Sequence, residues 1–345
     1  MVSERGLQVL QAIVQDYVET REPVGSKTIV DRHAFGVSAA TIRNDMAQLE
    51  DEELIAAPHT SSGRVPTDKG YRVFVDHLSQ LRPLSSAQRT AISTFLEGAT
   101  DLDDVLARTV RALTTLTGQV AIVQYPSFAQ ANVSHVELVA LEAGRMLVIL
   151  VTDTGRVSQR ITQLRAGFTP DELGRLRDRI AGLVTGRSVR QGAQAVAAES
   201  IALDFETSRA DALAAPVLRV VAEELEEFRQ DRLVMAGTAN LARREQDFRS
   251  SIYPLLEAIE EQVTLLRLMS EMVADDDGLS VSIGRENEQF GLAEASVLTG
   301  DYDPSTHARV GVLGPTRMDY ATNLAAVRTV AHYVSRLLED DERSR

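Results

Sequence analysis

Apolar positions recur with helical spacing among polar ones over residues 37–54. The apolar positions recur every three or four residues and form one stripe, made of Ala39, Ile42, Met46 and Leu49. Ser38 stands directly before this stripe, where its hydroxyl can accept a hydrogen bond from a free backbone N–H of the first turn. The pattern predicts an amphipathic helix that begins after Ser38.

The opposite side of this helix carries short and hydrogen-bonding side chains, whereas a merely solvated surface more often carries Glu and Lys. It consists of Ala40, Thr41, Arg43, Asn44, Ala47 and Gln48. Arginine pairs with guanine, asparagine pairs with adenine, and alanine or threonine contacts the methyl group of thymine. This face suits a helix that reads DNA bases, but taken alone the helix fits an ordinary packed helix with a solvated back equally well.

The segments on both sides of this helix decide between the two interpretations. A helix is predicted over residues 3–20, and Ser26 can cap a short helix over 27–33. Downstream, residues 55–57 and 64–66 are predicted to form two short strands around a small polar tip. Three helices followed by a two-stranded wing form a winged helix-turn-helix, which is a DNA-binding fold.

The rest of the chain alternates between strand-rich and helical segments. Residues 81–86 form a linker, and helices are predicted over 87–117 with a break near 98–101. Strands are predicted at 119–124, at 133–140, at 145–152, from there to Ile161, and again at 232–236, 279–284 and 309–313. Residues 169–230 between them are helical. The pattern predicts an α+β protein whose strand-rich part is interrupted by a helical insertion.

Five sequence segments resemble the signatures of the bacterial heat-inducible transcription repressors, the HrcA family. Three lie near the N-terminus: EPVGSKT at 22–28, ATIRNDMAQLE at 40–50 and PHTSSGRVPTDKGYR at 58–72. Two lie further along: AGTANL at 236–241 and GVLGPTRMDY at 311–320. The segments occur in the family's order and span nearly the whole chain, which makes the resemblance far more specific than any one motif.

The resemblance implies a multidomain organisation. Residues 1–80 would form the winged helix-turn-helix, and residues 81–100 a linker and helix. Residues 101–165 and 232–345 would form a discontinuous domain that resembles the GAF ligand-sensor fold. Residues 166–231 would form the inserted, mainly helical dimerisation domain.

The same resemblance implies a repressor that binds an inverted-repeat operator upstream of chaperone operons as a homodimer. Heat would relieve repression, and the GroE chaperonin would modulate it. We expect the bases to face Ser38, Thr41, Arg43 and Asn44, and the phosphates to face Lys27, Arg64 and Lys69. The full predicted DNA-binding set is Ser26, Lys27, Ser38, Ala40, Thr41, Arg43, Asn44, His59, Ser61, Ser62, Arg64 and Lys69.

Charge alone argues against nucleic-acid binding, since the chain has a formal net charge of −14. Residues 1–80 carry eight Lys and Arg against twelve Asp and Glu, which gives 8 − 12 = −4. Phosphate contact depends on the binding face and not on the sum, however. We therefore expect modest non-specific affinity, with specificity supplied by base contacts and dimerisation.

Several other classes of function are excluded by the residues that the chain lacks. It has no cysteine, which excludes disulfides and thiol catalysis and fits a cytoplasmic protein. The longest clean apolar run, 146–151, is too short to cross a bilayer, and we predict no membrane contact. The string Gly25-Ser26-Lys27-Thr28 lacks the spacing of a phosphate-binding loop. No nucleophile, base or metal set is apparent, so we predict no enzymatic activity, cofactor or metal.

Three hypotheses of function remain after this reasoning. The first is the heat-shock repressor that the family resemblance implies. The second is a metabolite-gated regulator in which the GAF-like domain senses a small molecule, which a ligand-induced shift in thermal stability would favour. The third is a protein-interaction module whose winged helix contacts another protein, which failure to bind promoter DNA would favour.

Overall fold

The computed structural model describes residues 2–59, 62–78, 83–126, 131–153, 157–163, 168–203, 209–229, 232–248, 251–303, 306 and 308–343. The chain forms two compact units. Unit 1 combines residues 1–125, 232–302 and 309–340, and unit 2 consists mainly of residues 126–231. Unit 2 is therefore an insertion in the sequence of unit 1.

The N-terminal part of unit 1 contains three helices, a two-stranded sheet and a fourth helix. They are α1 (Glu4–Thr20), α2 (Ser26–Arg32), α3 (Ala39–Asp51), β1 (Ile55–Ala56), β2 (Val65–Pro66) and α4 (Asp68–Asp76). The two strands pair antiparallel, with Ile55 opposite Pro66 and Ala56 opposite Val65. This is the element order of a winged helix-turn-helix, as the sequence predicted.

Hydroxyl groups cap three of these helices. The side chains of Ser3, Ser38 and Thr67 accept hydrogen bonds from the backbone N–H groups of Gly6, Thr41 and Gly70, respectively. The second helix differs from the prediction. Its N-cap is Gly25 without a side-chain hydrogen bond, and Ser26 is the first helical residue.

The second part of unit 1 is a five-stranded antiparallel sheet with helices on both faces. Its strands are β3 (Val120–Gln124), β7 (Leu233–Ala236), β8 (Leu279–Ile283), β9 (Ala295–Asp303) and β10 (Ala308–Pro315), in the order β7-β3-β10-β9-β8. Its helices are α5 (Ser86–Glu97), α6 (Leu102–Thr117), α10 (Thr238–Arg243), α11 (Tyr253–Glu261), α12 (Val263–Glu271) and α13 (Tyr320–Arg343).

Each face of this sheet buries apolar side chains against helices. On one face Ile122 and Val297 belong to a core shared with Leu255 of α11 and Leu265 of α12. Successive residues of a strand point to opposite faces, so Gly300 lies on the other face. A Cβ there would come within 3.1 Å of Val327 and 3.4 Å of Ala331, which places α13 directly on that face. The predicted GAF-like identity of this domain stays a prediction.

Unit 2 combines a three-stranded antiparallel sheet with three helices. Its elements are β4 (Val133–Leu141), β5 (Arg145–Thr152), β6 (Val157–Gln163), α7 (Pro170–Val184), α8 (Val189–Leu203) and α9 (Arg209–Arg229). The strands lie in the order β4-β5-β6. One face of the sheet, with Val136 and Val148, packs against Ile180, Val196 and Leu225 of the helices.

The insertion therefore begins earlier than the predicted boundary at residue 166. The sequence assigned 133–161 to the strand-rich domain, but the side chains of β4 and β5 share their core with α7, α8 and α9. Periodicity identifies a strand but does not reveal which sheet it joins, and this explains the error. The α+β class and the inserted position of the helices are confirmed.

Among the described residues, no helix has both the length and the apolar character needed to cross a bilayer.

Candidate nucleic-acid interface

Helix α3 separates a buried side from an exposed side, as its periodicity predicted. Ile42, Met46 and Leu49 are buried, whereas Ala39 is only partly covered. The exposed residues are Ala40, Arg43, Asn44, Ala47 and Gln48, with Thr41 at the margin. The side predicted to read bases is therefore exposed, and the described residues of unit 1 do not cover it.

The first turn of α3 is fixed by two hydroxyl groups. The Oγ of Ser38 accepts from the Thr41 backbone N–H at 3.2 Å, and the two side-chain oxygens lie 3.1 Å apart. Both side chains stay at the exposed start of the helix. Their unused hydrogen-bonding groups therefore lie at the N-terminal end of α3, where the positive end of the helix dipole favours an anion.

The underside of α3 holds a buried carboxylate that the sequence pattern did not identify. Asp45 is buried, and it accepts two hydrogen bonds from Arg5 of α1, from Nε at 2.8 Å and from Nη2 at 3.0 Å. The hydrogen bond to Asp45, followed by its charge, raises the pKa of Arg5. A bidentate pair fixes orientation as well as distance, so it sets the position of α3 relative to α1.

The wing is connected to the segment that precedes α2 and to α3. Arg64 and Val24 exchange two backbone hydrogen bonds of 2.8 Å, which extends the small sheet by one bridge. The guanidinium of Arg64 donates from Nε to Glu50 at 2.9 Å and from Nη1 to the Ser62 carbonyl at 3.2 Å. The predicted phosphate contact of Arg64 thus competes with an existing ion pair to the end of α3.

The wing tip is held by its own polar groups. The Oγ of Ser62 accepts from the His59 backbone N–H at 2.9 Å and donates to the His59 carbonyl at 2.6 Å. The His59 side chain is exposed, and Ser62 is partly exposed. Ser61, which also belongs to the predicted set, lies outside the described residues.

The positive charges of this region divide into paired and unpaired groups. Arg32 pairs with Asp16 at 3.4 Å, Arg64 with Glu50 at 2.8 Å and Arg72 with Asp76 at 3.5 Å. Within the described part of the chain, Lys27 and Arg43 have no carboxylate within 4.0 Å, and both are exposed. Although residues 1–80 have a negative net charge, Lys27 and Arg43 therefore present two positive charges without a carboxylate partner at the candidate interface.

Two further predicted residues lie at the ends of short helices. Ser26 is half-buried in the first turn of α2. Lys69 is exposed in α4, and its Nζ donates to the Glu52 carbonyl at 2.8 Å. The structure places these residues, α3 and the wing in one part of unit 1. Among the described residues no three metal-ligating side chains cluster.

Comparison with known proteins shows related chains of the same length. A family model described as the HrcA protein C-terminal domain matches residues 103–323. A heat-inducible transcription repressor HrcA from Clavibacter michiganensis subsp. michiganensis is 62% identical, with 99% of this chain and 100% of the relative covered. Proteins of the same name from Leifsonia xyli subsp. xyli and Streptomyces avermitilis are 58% and 50% identical, again with 99% and 100% covered.

A solved structure shows the same fold. It is described as a hypothetical protein at 2.2 Å resolution, has a TM-score of 0.66 and is 24% identical, with 99% of each chain covered. The family model matches well over half of the chain, and the relatives match almost all of it. This chain therefore belongs to the HrcA family of heat-inducible transcription repressors.

Proposed function

We propose that this protein represses heat-inducible genes by binding operator DNA with helix α3 and its wing. The protein acts in the cytoplasm as a DNA-binding regulator and not as an enzyme. Relatives that are 50% to 62% identical over the whole chain carry the name of heat-inducible transcription repressor, and this supports the proposal.

The exposed face of α3 is the observation that carries the proposal. Arg43 and Asn44 stand next to each other on this face, and each can form two hydrogen bonds with one base, guanine and adenine respectively. Ala40 and Ala47 have short side chains, which permits the backbone of α3 to approach the groove. Arg43 has no carboxylate partner among the described residues, so base contact does not require an ion pair to break.

The proposed phosphate contacts are exposed cations, and the first of them has no carboxylate partner among the described residues. Lys27 is exposed and unpaired within the described residues, and it lies in the first turn of α2, where backbone N–H groups add to the attraction for an anion. Lys69 is the second candidate. Arg64 has a smaller part in this proposal than the sequence suggested, because Glu50 already neutralises it.

A homodimer is proposed because one winged helix reads only one half of an inverted repeat. The outward face of the sheet in unit 2 supports it. Val139, Val157 and Ile161 lie on this face with exposures of 38%, 49% and 56%, and Leu147 connects Val139 with Ile161 across the strands. An apolar sheet face of this kind suits a second copy of the chain.

Modulation by the GroE chaperonin is proposed from the family resemblance. Release of the operator on heating belongs to the same proposal, because a chaperonin occupied by unfolded proteins would no longer assist the repressor.

The experiment is a fluorescence anisotropy titration of the full chain. The DNA is a duplex with the inverted repeat from upstream of the chaperonin operon of the same genome, and a scrambled duplex serves as reference. We expect the operator to bind about 10³-fold more tightly or better. Arg43→Ala should weaken operator binding by about tenfold to a hundredfold, because a bidentate base contact is lost.

The matched control is Arg111→Ala, which removes the same charge from an exposed position of α6. It should bind the operator like the wild type. Equal affinity for operator and scrambled DNA at low salt, with a folded protein in hand, would overturn the proposal. If Arg43→Ala and Arg111→Ala weaken binding equally, α3 is not the reading helix.

A further inference from the structure

Three arginines that are far apart in the sequence line one cleft of unit 1. Arg21 follows α1, Arg244 follows α10 and Arg317 precedes α13. The cleft has a volume of about 420 Å³. This lies within the usual range of about 300–1,000 Å³ for small-molecule sites.

One buried carboxylate serves two of the three guanidinium groups. Asp247, whose side chain is 2% exposed, accepts from Arg317 Nε at 3.2 Å and from Arg21 Nη2 at 3.4 Å. Arg317 also donates from Nη1 to the Val18 carbonyl at 2.8 Å. These contacts leave Arg244 without a hydrogen bond from its side chain to any described residue.

Two other carboxylates line the cleft, and both have partners of their own. Asp319 accepts from the Thr322 backbone N–H at 3.0 Å and from the Thr322 hydroxyl at 2.7 Å, at the start of α13. Glu19 is exposed and lies 3.7 Å from Arg32. Neither carboxylate is within 4.0 Å of Arg244.

The surroundings of Arg244 disfavour its positive charge. Burial lowers the pKa of Arg244, Asp247 opposes this effect, and the charges of Arg317 and Arg21 lower it further. A negatively charged ligand would instead favour the charged form of the Arg244 guanidinium. The Nη2 of Arg244 lies against Gly118, where an added Cβ would come within 3.3 Å of it.

Gln119 adds a second and independent observation. It lines the cleft and is only 2% exposed, yet its Oε1 has no hydrogen-bond partner among the described residues. A buried acceptor without a hydrogen bond lowers the stability of the folded state, and each such group in a folded protein calls for an explanation. A ligand group with an N–H or O–H donor would satisfy it.

We infer that this cleft binds a phosphorylated small molecule, with its phosphate against Arg244 and a hydroxyl or amino group donating to Gln119. A phosphate suits the site because it offers up to two charges and several acceptor oxygens to guanidinium groups. The bound molecule would connect the end of α1 with the sheet domain. Direct binding measurements test this inference independently of the proposed DNA binding.

The experiment is isothermal titration calorimetry of the full chain at constant ionic strength. Ribose 5-phosphate and adenosine monophosphate serve as probes, and ribose and adenosine serve as their uncharged counterparts. We expect saturable binding of at least one phosphorylated probe, with its counterpart bound about tenfold more weakly or worse. Arg244→Gln should weaken binding of that probe by about tenfold or more.

Arg243→Gln is the matched control, because it removes the same charge from the exposed neighbouring position of α10. It should bind like the wild type. Gln119→Met provides a second variant in the lining of the cleft and should weaken binding by severalfold. Circular dichroism checks that each variant is folded. The inference is overturned if neither phosphorylated probe binds at up to about 10 mM, or if Arg243→Gln weakens binding as much as Arg244→Gln.

Discussion

Arg72 of α4 donates from Nε to the carboxylate of Glu286 at 2.8 Å, although 214 residues separate the two in the sequence. Its Nη2 also donates to the Val281 carbonyl of β8 at 2.7 Å. Near them, the Asp68 carboxylate accepts from the Arg285 backbone N–H at 3.1 Å, and the rings of Tyr71 and Tyr320 lie 5.5 Å apart. Helix α4 thus attaches the winged helix to the sheet domain, in addition to the contacts that the end of α1 makes with Arg317 and Asp247.

Replacing Glu286 by Gln should weaken this attachment modestly. The side chains of Arg72 and Glu286 are 29% and 41% exposed, so water and salt screen the pair, and we expect a coupling free energy of about 0.5–1 kcal/mol. A double-mutant cycle with Arg72→Gln, Glu286→Gln and the double variant, read by denaturant unfolding at low and high salt, measures it. Coupling that is absent at low salt would contradict the expectation.

Replacing Asp45 by Asn should destabilise the winged helix. The buried carboxylate accepts both hydrogen bonds from Arg5, and an amide provides only one acceptor oxygen for them. Thermal unfolding followed by circular dichroism should show a lower midpoint. Asp51→Asn is the control, because Asp51 is exposed at the end of the same helix. Equal midpoints for the two variants would show that the Arg5–Asp45 pair is dispensable.

Replacing Lys27 by Ala should weaken DNA binding uniformly across sequences. An exposed lysine that contacts one phosphate adds to affinity without reading bases. The slope of log affinity against log salt should fall in magnitude by about 1. Titrations of the operator and a scrambled duplex at several salt concentrations measure both effects. Arg32→Ala in the same helix should leave the slope unchanged, because Asp16 already pairs with Arg32.

Replacing Ile161 by Arg should dissociate the proposed dimer. The substitution places a charge on the exposed apolar face of β4, β5 and β6, beside Leu147 of the central strand, where a second copy would bury it without a partner. Light scattering after size exclusion should report the mass of a monomer, about half that of the wild type. Ile201→Arg is the control, since Ile201 is also exposed but lies on α8. A wild type that is itself monomeric would contradict the proposed dimer.

The sequence by itself determined the local elements and the family. The apolar stripe over residues 37–54 and Ser38 predicted a helix that begins after Ser38, and α3 indeed begins at Ala39 but ends at Asp51. The predicted break near residues 98–101 separates α5 from α6. These features depend on side chains a few residues apart, so periodicity and capping reveal them. The exposure of Arg43 and Asn44 followed from the same periodicity.

Only the tertiary structure decided which distant residues meet. Several contacts join residues whose spacing in the sequence does not reveal that they meet. They are the pairs Arg5–Asp45 and Arg64–Glu50, and the cluster of Arg21, Arg244 and Arg317. The assignment of β4 and β5 to unit 2 depended on packing in the same way, because an alternating strand fits any sheet with an open edge. Local chain geometry sets the elements, whereas complementary surfaces and charges across the fold select the partners.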